Sequence, residues 1–136
     1  MRFAGQFVNP VRLAGSLLIA LIAVAGCASA PQRSDQEIVA ERAQVRWNAL
    51  VAGDFKTAYE MMSPAGRSVV SLEGYSGTLK RGFWKEVRVK DVQCTSAEVC
   101  EVHLEMEYEF MGRRTKTPVS EKWVKQDSTW WYLFQA

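Results

Sequence analysis

Cys100-Glu101-Val102-His103-Leu104-Glu105-Met106-Glu107-Tyr108-Glu109-Phe110 decides the fold. Apolar residues alternate with Glu or His at a strict period of two along the whole stretch. Successive side chains on a strand point to opposite faces, so this is one long strand with an apolar side turned inward and a charged side turned to water. A strand wet on one face belongs to an antiparallel sheet whose other face is covered.

Upstream, Trp84 to Cys94 alternates with Val87 and Val89 on one face, then carries Val92 and Cys94 there instead. One extra residue reconciles the two halves, which predicts a β-bulge near Lys90-Asp91 and places Arg88 across from Glu105. Downstream, Met111-Gly112-Arg113-Arg114 is the next turn. A two-residue loop at Gly112-Arg113 pairs Glu109 with Lys116, His103 with Lys122, Met106 with Val119 and Val102 with Trp123. Gln126 to Thr129 turns the chain again into a last strand, Trp130 to Phe134.

The residues before Gly82 follow a helical period. Ser34-Asp35-Gln36-Glu37 has the form of a capping box. Ile38, Val39, Ala43, Trp47, Leu50 and Val51 make one apolar stripe, with Glu41, Arg42, Gln44 and Arg46 over much of the remainder. Gly53 ends this helix, Asp54 caps a shorter one bearing Phe55, Ala58, Tyr59 and Met62, and Ser63-Pro64 starts a third that runs to about Leu72. Glu73 to Gly77 reads as a loop. Three helices followed by four antiparallel strands predict an α+β domain with N-terminal helices packed on one curved sheet.

That order resembles the nuclear-transport-factor-2-like superfamily, the cystatin-like α+β cone. The residues that carry the resemblance are Arg46-Trp47-Asn48-Ala49-Leu50 with Gly53 to Tyr59, and Glu121-Lys122-Trp123-Val124 with Trp130 to Leu133, and it covers nearly all of 35–136. It implies a cone-shaped cavity between sheet and helices, walled here by Trp47, Tyr59, Met62, Tyr108, Trp123 and Tyr132. It is nearly silent on function, since the superfamily includes isomerases, dehydratases, binding modules and secretion components.

Enzymes of that superfamily place an Asp, His or Tyr in the cavity, and this chain departs from the pattern. Its one histidine, His103, lies on the charged outer face. Glu101, His103 and Glu105 share that face, but next-but-one side chains on a flat strand stand ~7 Å apart and do not converge on one ion, so no metal site is expected. Glu121 is the carboxylate of interest. The turn at Gly112-Arg113 sets it opposite Leu104 on the core side, whereas a register shift at Pro118 exposes it, and the exposed reading is favoured. If the register holds, Glu121 beside Tyr108 or Tyr132 is the best polar ligand contact.

The amino end resembles a bacterial lipoprotein signal. Arg2 and Arg12 precede the apolar run Leu13 to Val24, which is too short to span a bilayer, and Val24-Ala25-Gly26-Cys27 resembles the lipoprotein signal peptidase site. The resemblance implies cleavage after residue 26, diacylglycerol and acyl chains on Cys27, a tether over 27–34 and a domain over 35–136. Ala28-Ser29-Ala30 also resembles an ordinary cleavage site. Ala28, where an Asp would signal inner-membrane retention, points to the outer membrane of a Gram-negative cell, facing the periplasm.

Removing residues 1–26 takes only Arg2 and Arg12 from the charged groups, so 17 basic residues fall to 15 against 15 acidic ones. Zero net charge argues against nucleic acid or an anionic membrane surface as the main partner. With Cys27 assigned to lipid, Cys94 and Cys100 remain as a pair in an oxidising compartment, separated by a connector of hairpin length. A disulfide between directly opposed strand positions follows. The expectation for function is a non-catalytic binding or scaffold module, lipid-anchored in the envelope, with no cofactor beyond its lipid and with a protein partner. The alternative is an isomerase-like or binding pocket for a small apolar molecule inside the cone. The resemblance also allows a homodimer through the outer sheet face.

Overall fold

The structure is a computed structural model that describes residues 30–135. Cys27 and the residues assigned to export lie outside the described residues.

Helix α1 spans Asp35–Ala52, and the capping box at its start is formed. The Ser34 hydroxyl accepts from the Glu37 amide at 3.2 Å, and the Glu37 carboxylate accepts from the Ser34 amide at 2.7 Å. Gly53, at φ 76°, closes the helix in the left-handed region. Asp54 caps α2, Phe55–Glu60, and Ser63 caps α3, Pro64–Val69. A fourth helix, α4 over Leu72–Gly77, corrects the loop expected there. The Ser71 hydroxyl caps it by accepting from the Gly74 amide at 3.1 Å, so two glycines that read as breakers sit inside one capped turn.

Four strands follow: β1 Trp84–Ser96, β2 Val99–Phe110, β3 Arg113–Gln126 and β4 Thr129–Tyr132. They form one antiparallel sheet in the order β1-β2-β3-β4. The register of β1 on β2 shifts between Val89 and Asp91, where the alternation required a bulge, and Arg88 lies opposite Glu105. Further shifts at Lys85 and Thr95 add to the bend. Cys94 is the register partner of Cys100, and the two are disulfide-bonded.

The β2–β3 turn differs from the expectation by one position. It is made by Met111 and Gly112, at φ 50° and 72°, with Phe110 opposite Arg113. Two positive φ values are what a two-residue turn needs to match strand twist, and the glycine supplies the second without cost. Every β2–β3 partner therefore moves by two residues. His103 faces Ser120, Glu107 faces Lys116, and Glu121 faces Val102. A slip of two keeps each side chain on its face, whereas a slip of one would have reversed them all. The last strand is also shorter than expected, because Tyr132 turns its backbone to the α2–α3 junction: its amide donates to Met61 O and its carbonyl accepts from the Ser63 amide, both at 2.9 Å.

Val39, Ala43, Trp47 and Leu50 of α1 bury themselves against Val87, Val102, Leu104, Met106, Trp123 and Trp130 of the sheet. No helix among the described residues is long and apolar enough to cross a membrane.

Candidate functional site

Inside the core-facing layer sits one polar centre, and Glu121 is its hub. The side chain is buried, 7% exposed, so the exposure expected from a shift at Pro118 does not occur. Pro118 is held in register opposite Glu105. Arg46 reaches Glu121 from α1, with Nη1 donating to Oε2 at 2.9 Å. Trp47 Nε1 donates to the same oxygen at 3.1 Å, and Trp123 Nε1 donates to Oε1 at 2.8 Å. A carboxylate taken out of water is tolerable only with such a counter-charge and donors.

Arg46 is the residue that the sequence reading misplaced. Assigned to the polar side of α1, it is 3% exposed. Its spacing carried a signal: Val39, Ala43, Arg46 and Leu50 step by four, three and four along one helical face. Its Nη2 donates to the Tyr75 hydroxyl at 3.2 Å, and its guanidinium lies 3.5 Å from the centroid of the Tyr132 ring. Nε has no hydrogen-bond partner. Tyr75 was missed because α4 was missed. Burial pushes the Tyr132 hydroxyl above its ordinary pKa, and the Arg46 cation facing the ring pulls partly the other way.

These residues border a cleft of about 260 Å³, with Trp47, Tyr75, Trp84, Glu121, Tyr132 and Phe134 along its wall. That is just below the range of about 300–1,000 Å³ usual for drug-sized ligands. Of the expected cavity residues, Trp47, Glu121 and Tyr132 line this cleft, and Trp123 is fully buried behind it as a donor to Glu121. Three stand elsewhere. Tyr59 is turned toward α3, its hydroxyl donating to the Val70 carbonyl at 2.9 Å. Met62 is fully buried beneath Gly66, where a Cβ would come within 2.8 Å of it. Tyr108 stacks on Phe83 at 5.2 Å, toward the turn of the β2–β3 hairpin.

On the outer face, His103 Nδ1 lies 2.8 Å from the Ser120 hydroxyl, not beside Lys122. Glu105 pairs with Lys116 at 3.2 Å and Glu107 with Arg114 at 2.9 Å. No group of three His, Cys, Asp or Glu side chains among the described residues is arranged to hold a metal ion.

No protein-family model and no curated protein matches the chain. Among solved structures it is similar to a SEC-C motif containing protein from Psychrobacter arcticus, with TM-score 0.61 and 14% identity over 76% of this chain and 63% of that one. It is also similar to a SEC-C motif containing protein from Rhodopseudomonas palustris, with TM-score 0.55 and 14% identity over 68% and 73% of the two chains. A putative NTF2-like transpeptidase from Campylobacter jejuni aligns with TM-score 0.47 and 13% identity, over 70% and 96%. The chain spans less than two thirds of the Psychrobacter protein. At such identities the likeness concerns fold alone, and the fold is an α+β domain of N-terminal helices packed on a four-stranded antiparallel sheet, shared with SEC-C motif containing proteins.

Proposed function

We propose that the chain is a lipid-anchored module of the cell envelope, a nuclear-transport-factor-2-like domain that holds a protein partner and performs no chemistry of its own. The engagement of Glu121 carries this reading. A general base needs an acceptor aimed at a substrate proton. Both oxygens of Glu121 already accept from Arg46, Trp47 and Trp123. The one carboxylate in the cleft thus serves as a strut between α1 and β3, and apart from its partner Arg46 and the indoles of Trp47 and Trp84 the remaining polar side chains of the lining are hydroxyls and the Gln135 amide.

Anchoring at Cys27 and an outer-membrane address facing the periplasm are supported by Val24-Ala25-Gly26-Cys27 and Ala28. The Cys94–Cys100 disulfide suits an oxidising compartment. The experiment is mild cross-linking in intact envelopes, capture of the full-length protein and of a Cys27→Ala form, and mass spectrometry of protein, lipid and small molecules. One envelope protein recovered in stoichiometric yield with the acylated form, and lost with Cys27→Ala, is the expected result. Recovery of a stoichiometric small molecule with no protein overturns it.

That second outcome corresponds to a second reading, a small apolar ligand in the cleft. One observation favours it: the buried Nε of Arg46 has no partner, and Arg46 forms part of the cleft wall.

A further inference from the structure

Of the three hairpins closed by two-residue turns, the β2–β3 and β3–β4 turns share a backbone with positive φ at both positions and differ in their side chains. Asp127-Ser128 turns β3 into β4 with φ 49° and 61°, using polar residues. Met111-Gly112 turns β2 into β3 with φ 50° and 72°. Asn, Asp and Gly are the residues that accept positive φ readily. An unbranched apolar residue such as Met gains nothing there, and it sits at the most exposed point of the hairpin. Met111 is 87% exposed and its neighbour Phe110 62%, so two large apolar side chains stand in water at one tip.

The tip is flanked by cations. Lys80 and Lys85 line a hollow that also includes Met111 and Gly112, with Glu109 as its one acid, whereas Arg81 borders the same hollow but turns its guanidinium to Gly53 and the Phe55 ring. Arg113 stands directly opposite Phe110. Lys80, Lys85 and Arg113 make no ion pair among the described residues, whereas Arg114 is neutralised by Glu107. The chain's zero balance without residues 1–26 is therefore unevenly distributed, and the excess of positive charge collects where the apolar side chains project. An apolar point flanked by Lys and Arg matches the boundary of an anionic lipid leaflet: acyl chains receive the Phe and Met, and headgroup phosphates face the cations.

We infer that the Phe110-Met111 tip is a lipid-contact site that docks shallowly into a membrane surface carrying anionic phospholipid. The site is independent of Cys27. Asp35 at the start of α1 is bonded to Lys125 at the far end of β3 and to its β4 partner Trp130, so the tip lies on the order of 40 Å from where the tether enters, at ~3.3 Å per strand residue. Contact at both ends would lay the long axis of the sheet along the surface.

The test is hydrogen exchange of the full chain bound to vesicles of phosphatidylcholine, with and without phosphatidylglycerol. Local exchange reports the tip whatever else holds the chain on the vesicle. Amides of 109–114 should slow only with phosphatidylglycerol present, and the slowing should vanish in salt. A Phe110→Ser/Met111→Asn form should lose it while β2 and β3 amides elsewhere remain protected, because Asn suits the turn and keeps the hairpin closed. Arg113→Gln should weaken tip contact by roughly fivefold for the one charge removed. Unchanged exchange at the tip of vesicle-bound protein overturns the inference, and so does equal slowing on both vesicles. Slowing that needs an added envelope protein also overturns it, and reassigns the tip to a protein partner.

Discussion

Arg46 and Glu121 lie 75 residues apart in sequence and 2.9 Å apart in the fold, joined by a hydrogen-bonded ion pair with both side chains buried. The pair ties the middle of α1 to β3. Its Coulomb attraction has to repay the desolvation of two ions, so its presence says little about net stability, but its halves are unequal to its whole.

Removing one partner should be far worse than removing both. Glu121→Leu leaves a guanidinium buried with only Tyr75 as an acceptor and should cost about 3–5 kcal/mol. Arg46→Met strands the carboxylate on two indole donors and should cost a comparable amount. The Arg46→Met/Glu121→Leu double form should recover much of either loss. Urea unfolding of the four proteins measures this, and a double form as unstable as the sum of the single ones would mean that the pair is not coupled.

Tyr132 sets an alkaline limit. Its hydroxyl is raised above the ordinary value of 10.0, chiefly by burial. The folded state then holds the proton more tightly than the unfolded state. The associated stability is fully present below pH 10 and is lost as pH rises from there through the folded value. Tyr132→Phe should flatten the decline of stability above pH 10, as read by denaturant titration across alkaline pH, and an unchanged slope would contradict the assignment.

The fold was legible because two signals were redundant: the alternation of Cys100 to Phe110 and the capped helical stripe of α1. Register was less so. Three adjacent residues, Met111 to Arg113, offer two ways to place a two-residue loop, and the side-chain pattern cannot distinguish a slip of two because it preserves the faces. The unshifted register turns Glu121 inward but against the wrong partner, and the favoured reading, exposure through a shift at Pro118, is wrong because Pro118 stays paired with Glu105. Arg46 was hidden by its own chemistry. A charged residue at an apolar spacing reads as a solvated edge until its counter-charge, brought by β3, is known. Tyr75 was hidden by Gly74 and Gly77, which obscured the Ser71 cap.

The disulfide closes a small loop, with Cys94 and Cys100 six positions apart. Chain-entropy arguments give about 2 kcal/mol for a loop of this size. Cys94→Ser/Cys100→Ser should lose about that much in urea without changing the far-ultraviolet spectrum, since the cross-strand partners on either side remain paired. A loss well above this would mean that the bond also sets the register of β1 on β2.

Gln44 guards an edge. β1 is an outer strand of the sheet, and unpaired edges invite other strands. The Gln44 amide closes part of that edge as a neighbouring strand would: its Nε2 donates to the Val87 carbonyl at 2.8 Å and its Oε1 accepts from the Val89 amide at 3.0 Å. Gln44→Ala leaves a donor and an acceptor of the backbone without partners, each half-buried under α1. The cost should be about 1–3 kcal/mol, the usual penalty for stranding a polar group, discounted where water reaches it. The larger consequence concerns association. With 87–89 open, β1 offers a pairing edge in continuity with its exposed stretch 90–96, so Gln44→Ala should dimerise or aggregate at concentrations where the wild type stays monodisperse. Light scattering across a concentration series measures this. If Gln44→Ala loses stability but stays as dispersed as the wild type, the bulges and charges of β1 protect the edge without help, and Gln44 matters only for satisfying two backbone groups.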